Sequence, residues 1–147
     1  DLTVNILTNH AVNNNKILVF GGEQKRPNIH IQDMTDLYVQ SLECSDESID
    51  GNIFNAGYEN HQVNDIAQIV KRGVGDQVDI VKVETDDHRS YHISSEKIKR
   101  ELGFTPNHTI EDAVSDLVGA FGQGAIPESM TAERYYNIKV MQSLRLK

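Results

Sequence analysis

Arg26 and Arg89 are the residues whose type and setting carry the clearest chemistry. Arg26 lies in Gly21-Gly22-Glu23-Gln24-Lys25-Arg26-Pro27, a glycine-led connection that runs straight into a predicted strand. Arg89 lies in Asp86-Asp87-His88-Arg89-Ser90-Tyr91, between a predicted strand and a predicted helix. A guanidinium is a planar fork that donates paired hydrogen bonds, a shape that matches phosphate. Loops beside strand ends are where α/β proteins hold ligands. Phe20, just before the first loop, offers an aromatic ring on which a nucleobase can stack. On composition alone, two loop arginines read as solvated charges more readily than as a clamp.

Other constellations carry less. His88 and His92 stand four apart beside Asp86 and Asp87, and two imidazoles with a carboxylate could bind zinc for a hydrolytic reaction. No third fixed ligand accompanies them, so they read as ordinary histidines of an exposed loop, and no metal is expected. Tyr135 and Lys139 form a Tyr-x-x-x-Lys pair. On a helix they share a face, and an ammonium beside a phenol favours the phenolate that proton transfer to a sugar hydroxyl needs. Such a pair also arises readily by chance, and it reads here as packing plus a solvated lysine. Gly119-Ala120-Phe121-Gly122-Gln123-Gly124 is glycine-rich, but a dinucleotide fingerprint needs a strand before it and a helix after it. A helix precedes it here, so the run reads as the end of that helix. Cys44 sits beside an acidic stretch with no basic neighbour to lower its pKa and reads as no nucleophile. No catalytic residue is assigned.

The elements that must position the arginines alternate between the two periodicities, which predicts an α/β class with mixed α+β character and a helical C-terminal third. Leu2, Ile6 and His10 stand at helical spacing, and Asn13-Asn14-Asn15 ends that helix. Ile17-Leu18-Val19-Phe20 reads as a strand, and the alternation of Asn28-Ile29-His30-Ile31-Gln32 as a second, half-buried one. Asp33 is then expected to cap a helix whose apolar stripe is Met34, Leu37, Tyr38 and Leu42. Cys44 to Gly51 reads as a loop, and Asn52-Ile53-Phe54-Asn55 as a strand closed by Gly57. Val63, Ile66, Ala67 and Val70 mark a helix ended by Gly73 and Gly75, and Val78, Ile80 and Val83 a strand. Ser94-Ser95 starts a helix that Gly103 stops. Thr109-Ile110-Glu111-Asp112 has the form of a capping box with Asp in place of Glu. Ala113, Val114, Leu117, Val118 and Phe121 form that helix's apolar face, and Thr131 is expected to open a last helix through Tyr135, Ile138 and Met141.

The sequence has 147 residues, enough to bury about 70% of the unfolded chain's surface, and residues 1–147 read as one domain. Lys and Arg total 14 and Asp and Glu 22, a net charge of −8. That balance excludes a broad phosphate-neutralising surface, and with it nucleic acid, but leaves room for a local arginine pocket. One cysteine allows neither an internal disulfide nor a Cys-rich metal site. No apolar run approaches the ~18 residues of a membrane span, and no signal-peptide pattern opens the chain, so a cytoplasmic setting is expected. Asp1 to Asn5 already reads as helix interior, so the chain is expected to be a fragment of a longer protein.

The run from Val19 to Met34 (aromatic-Gly, Arg26, His30, Asp33) resembles the extended short-chain dehydrogenase/reductase family, and within it the NAD-dependent nucleotide-sugar epimerases and dehydratases. Further matches follow in the family's order: Phe54-Asn55-Ala56-Gly57, then Arg89 ahead of Lys99-Arg100-Glu101-Leu102-Gly103-Phe104-Thr105-Pro106, then Thr109-Ile110-Glu111-Asp112-Ala113-Val114. The resemblance implies the C-terminal lobe of a Rossmann-type enzyme that grips a nucleotide-diphosphate sugar. Arg26 and Arg89 would hold the diphosphate, Phe20 would stack on the base, and Asn55 would add a polar contact. It further implies a parent enzyme, usually a homodimer, whose N-terminal Rossmann half binds NAD and carries the hydride chemistry. This stretch would have no cofactor and no turnover of its own. The family's glycine-rich NAD loop, catalytic Ser/Thr and Tyr-x-x-x-Lys pair belong to that N-terminal half. Pro27 and Asn28 stand where many relatives have Asp and an aromatic. The other class of function open to the same fold is a non-catalytic nucleotide-sugar-binding or protein-interaction module.

Overall fold

A computed structural model describes residues 2–86 and 89–145. Helix α1 (Thr3–Asn14) leads through Asn15, in the left-handed region at φ 49°, into β1 (Lys16–Phe20). After the turn come β2 (Lys25–Asn28), α2 (Ile31–Glu43) and a short α3 (Asp46–Ile49). Then follow β3 (Glu59–Gln62), α4 (Val63–Val74) and β4 (Asp79–Val83). The last third is helical, with α5 (Glu96–Leu102), α6 (Ile110–Gly122), a 3₁₀ turn at Glu133–Tyr135 and α7 (Asn137–Ser143). β1 pairs parallel with β4, from Lys16 opposite Asp79 to Phe20 opposite Val83. β2 pairs antiparallel with β3.

Two apolar clusters hold these elements. In the larger, Ile17 and Val19 of β1 are fully buried against Ile66, Ala67 and Val70 of α4 and Val114 of α6. Strand alternation then turns Leu18 and Phe20 to the opposite face, where both are exposed. α1 buries Val4, Leu7, Thr8 and Ala11, an i, i+3, i+4, i+7 stripe, and the Thr8 hydroxyl is satisfied by the Val4 carbonyl at 2.8 Å. The Leu2, Ile6, His10 spacing therefore marks the outward face of the helix rather than its core face. The smaller cluster joins Leu37 of α2, Ile98 of α5 and Phe104. Gly103 stops α5 at φ 68°, as expected, and Thr109 caps α6 in a complete capping box with Asp112. Thr109→Ala should lower unfolding stability by about 1 kcal/mol in urea denaturation, the usual value of a lost N-cap.

Five expectations are corrected. The second strand is Lys25–Asn28, and α2 begins at Ile31 with His30 as its cap, the imidazole accepting from the Gln32 N–H at 3.1 Å. Asp33 is not the cap, because its carboxylate is spent on the backbone N–H groups of Asn107 and His108, both at 3.0 Å. Residues 52–57 form no strand, because no neighbouring strand offers them a ladder. The stretch 44–51 holds a turn of helix, α3, rather than loop throughout. The final helix is broken at Tyr136, whose phenol donates to the carbonyls of Ser129 and Met130, and it leaves Ile138 and Met141 exposed.

Candidate functional site

The turn after β1 is held from several sides. Gly21 and Gly22 take φ of 72° and 116°, where a side chain is strained. A Cβ on Gly22 would also lie 2.2 Å from Asn64 Oδ1. The Gly22 carbonyl accepts from the Asn64 N–H, and Gln24 braces the turn by accepting from the Gly22 N–H and donating to the Phe20 carbonyl. This fixed turn delivers Arg26 to β2. There its Nη1 donates to the carbonyls of Lys25 (2.9 Å) and Arg89 (2.6 Å), and its guanidinium carbon lies 5.3 Å from the centre of the Tyr91 ring. The Lys25 N–H donates to the Ser90 hydroxyl, and the Tyr91 N–H to the Lys25 carbonyl. The segment around Arg89 thus runs beside β2, and residues 63 apart in sequence become neighbours.

A cavity of about 480 Å³ opens between α1 and the outer face of β1. Ile6 and His10 of α1, Leu18 and Phe20 of β1, Arg26 and Thr85 line it. Its volume suits a small-molecule ligand, and its walls are largely apolar with a cation at one end. A neighbouring hollow of about 710 Å³, floored by Gly21 and residues 82–86, sets two carboxylates, Glu84 and Asp86, against one ammonium, Lys82, a balance that disfavours an anion. The first cavity is therefore the better site for a phosphorylated ligand. Of the residues singled out in the sequence, the structure brings Phe20 and Arg26 into one cavity and sets the Arg89 backbone against Arg26. Arg89 and Asn55 are not among the described residues lining it, and Asn55 stands exposed in the 52–57 stretch. Sequence reasoning missed Ile6, His10 and Leu18 as lining residues. Their signals were the outward helical stripe and the alternation of Leu18 with Phe20.

The remaining candidates fall as follows. Lys139 places its ammonium 4.1 Å from the Tyr136 ring centre, while Tyr135 accepts from Arg134, so the Tyr135–Lys139 spacing pairs neither with the other. Cys44 donates weakly to the Gln40 carbonyl. His88 and Asp87 lie outside the described residues, so the His88–His92 pair does as well. Among the described residues, no group of three His, Cys, Asp or Glu side chains is placed to hold a metal ion. Nor, among them, is any helix long and apolar enough to cross a membrane.

Outside the cavity, displaced ionisations gather where α2 meets the start of α6. Burial pushes the Asp33 carboxyl up, but the His108 imidazole and the N–H groups of Asn107 and His108 outweigh it and hold its pKa below 3.8. The bond to Asp33 raises His108 above 6.5, against the partial desolvation that lowers it. The Thr109 N–H and hydroxyl lower Asp112. The His108 contribution to stability is whole below pH 6.5 and is lost as pH rises through its raised value. The Asp33 contribution is whole above pH 3.8 and is lost as pH falls through its lowered value. The melting-temperature gap between wild type and His108→Gln should therefore be widest near pH 5–6 and shrink at pH 9. A gap constant over that range would show that the imidazolium charge contributes nothing.

Comparison with known proteins places this geometry. No family model matches the chain. A UDP-glucose 4-epimerase of Corynebacterium glutamicum is 30% identical over 127 residues, 76% of this chain and 37% of that protein. The crystal structure of the UDP-glucose 4-epimerase of Thermotoga maritima with UDP-glucose superposes with a TM-score of 0.73 at 22% identity, over 84% of this chain and 40% of that one. The dTDP-glucose 4,6-dehydratase of Bacillus anthracis, in complex with NAD, gives a TM-score of 0.70 at 18% identity, over 89% of this chain and 42% of that one. This chain thus spans well under half the length of each of these relatives. The fold is the C-terminal lobe of a Rossmann-type extended short-chain dehydrogenase/reductase. In sequence the chain is similar to a UDP-glucose 4-epimerase of that family, and in fold to epimerases and dehydratases within it.

Proposed function

We propose that the chain is the substrate-holding lobe of an NAD-dependent nucleotide-sugar epimerase or dehydratase, and that it grips the nucleoside diphosphate. The observation that carries this reading is the single cavity that joins the exposed Phe20 ring to the Arg26 guanidinium, with the Arg89 segment fastened to that same guanidinium. Among the described residues Arg26 uses only Nη1 in hydrogen bonds, so Nε and Nη2 remain for an anion. The Arg89 side chain would meet the diphosphate from the neighbouring segment, and Asn55 would add a polar contact.

NAD belongs to the other half in this reading. Gly119–Gly124 closes α6 instead of joining a strand to a helix N-terminus, so this run forms no dinucleotide loop. In this reading the other half would dock on exposed apolar side chains of α2. α2 exposes Ile31 (75%), Tyr38, Val39 and Leu42 (86%), and Ile53, after α3, is 84% exposed. Several large apolar side chains exposed on one helix suit an interaction surface, and residues 52–57 lack a ladder partner. The half of the stripe expected in the core, Tyr38 and Leu42, would be covered by the N-terminal Rossmann half of the same protein.

The test is calorimetric titration of UDP into the full-length protein, against inorganic pyrophosphate as the base-free control. UDP should bind more tightly than pyrophosphate, and Phe20→Ala should remove at least about 1 kcal/mol of that difference, the lower end of aromatic–base stacking. Equal affinity for UDP and pyrophosphate would overturn the reading.

A further inference from the structure

We infer that His10 reads the base of the bound nucleotide and selects a base with a carbonyl at its hydrogen-bonding edge. This rests on the nucleoside-diphosphate reading above. The cavity has a charged end and an apolar end. Phe20 ends β1 and Arg26 lies on β2 after the turn, while Ile6 and His10 form a wall along α1, one turn apart, with Leu18 of β1 lining the same cavity. A base stacked on Phe20 and lying across Leu18 presents its edge to that wall. There His10 is the ionisable side chain among Ile6, Leu7 and Leu18. In a mostly apolar pocket a few placed polar groups decide which ligand is accepted, and on the α1 wall these are His10 and, nearer the start of the helix, Thr3.

The direction of that choice follows from the next turn of the helix. Asn14 Nδ2 lies 3.3 Å from His10 Nδ1. An amide NH₂ can only donate, so Nδ1 accepts and the neutral imidazole carries its proton on Nε2. His10 therefore offers the ligand a donor. Uracil and thymine answer with the C4 carbonyl and guanine with the C6 carbonyl, whereas cytosine and adenine carry an amino group there. A donor facing a donor leaves both desolvated without a partner, which is how a pocket rejects the wrong base.

UDP, CDP, GDP and ADP titrated into the full-length protein, its His10→Phe and Asn14→Leu variants and Arg26→Ala provide the test. UDP should bind about tenfold tighter than CDP, and GDP tighter than ADP by a similar factor, the size of one hydrogen bond. In His10→Phe the UDP affinity should fall to that of CDP. The CDP affinity should hold, which shows that the variant is folded. Asn14→Leu should shrink the UDP preference by freeing the tautomer, with UDP still bound. Equal UDP and CDP binding in the wild type, or an intact preference in His10→Phe, overturns the role of His10. If those results come with diphosphate binding that Arg26→Ala weakens, the nucleotide site itself survives. Absence of binding by all four nucleotides removes both.

Discussion

Asp33→Ala should lower the unfolding free energy by about 3 kcal/mol or more, measured by urea denaturation at pH 6. Asp33 is 1% exposed, yet it is charged, and three bonds account for that. Its oxygens accept from the Asn107 N–H and the His108 N–H, each at 3.0 Å, and from the His108 imidazole at 2.8 Å. Hydrogen bonds to a charged group contribute about 1.5–3 kcal/mol each, and truncation removes all three at once. His30 strengthens the arrangement, since its buried ring stacks on His108 at 4.7 Å and its Nε2 faces Asp116 at 3.4 Å. Asp33 sits on the helix of the smaller cluster and holds the chain that enters the helix of the larger one. Its loss should therefore uncouple the two clusters, and the urea transition should broaden or split. Asp33→Asn keeps one acceptor and the size, and should lose less. A loss below about 1 kcal/mol in Asp33→Ala would mean that apolar contacts alone hold the clusters together.

That same residue shows where sequence reading succeeds and stops. Elements whose local signal and tertiary role agree were legible: the apolar period of α4, the Gly103 stop of α5 and the Thr109 box of α6. An acidic residue ahead of an apolar run reads as an N-cap by local rules, but Asp33 answers to residues 74 and 75 positions away, and His30 takes the cap instead. Likewise Asn52-Ile53-Phe54-Asn55 carries strand composition without a strand to pair with, and pairing is not a local property. The site divides in the same way. Phe20 and Arg26 were legible because they flank one turn. The wall formed by Ile6 and His10 was visible only as a stripe, with nothing local to say that it faces a cavity instead of the core.

Arg26→Ala should weaken nucleoside diphosphate binding to the full-length protein by about 1.5–3 kcal/mol, or roughly 10- to 150-fold. The protein carries a net charge of −8, so its overall field opposes a diphosphate, and local donors must overcome it. Arg26 is suited to this because much of its ordering is already complete. Nη1 is tied to two carbonyls and the guanidinium stands over Tyr91, so binding fixes few further rotamers. Arg26→Lys should not restore affinity, since an ammonium cannot hold both carbonyls and still offer a fork to phosphate. Arg89→Ala should cost a similar amount if its side chain reaches the same diphosphate. The double variant then separates shared from independent action. Because the Arg26 guanidinium is anchored on the Arg89 backbone, which alanine retains, coupling between the two substitutions reports the shared anion and not a broken anchor. Strictly additive losses would place the two arginines on separate charges of the ligand. Unchanged affinity in both single variants would remove the clamp altogether.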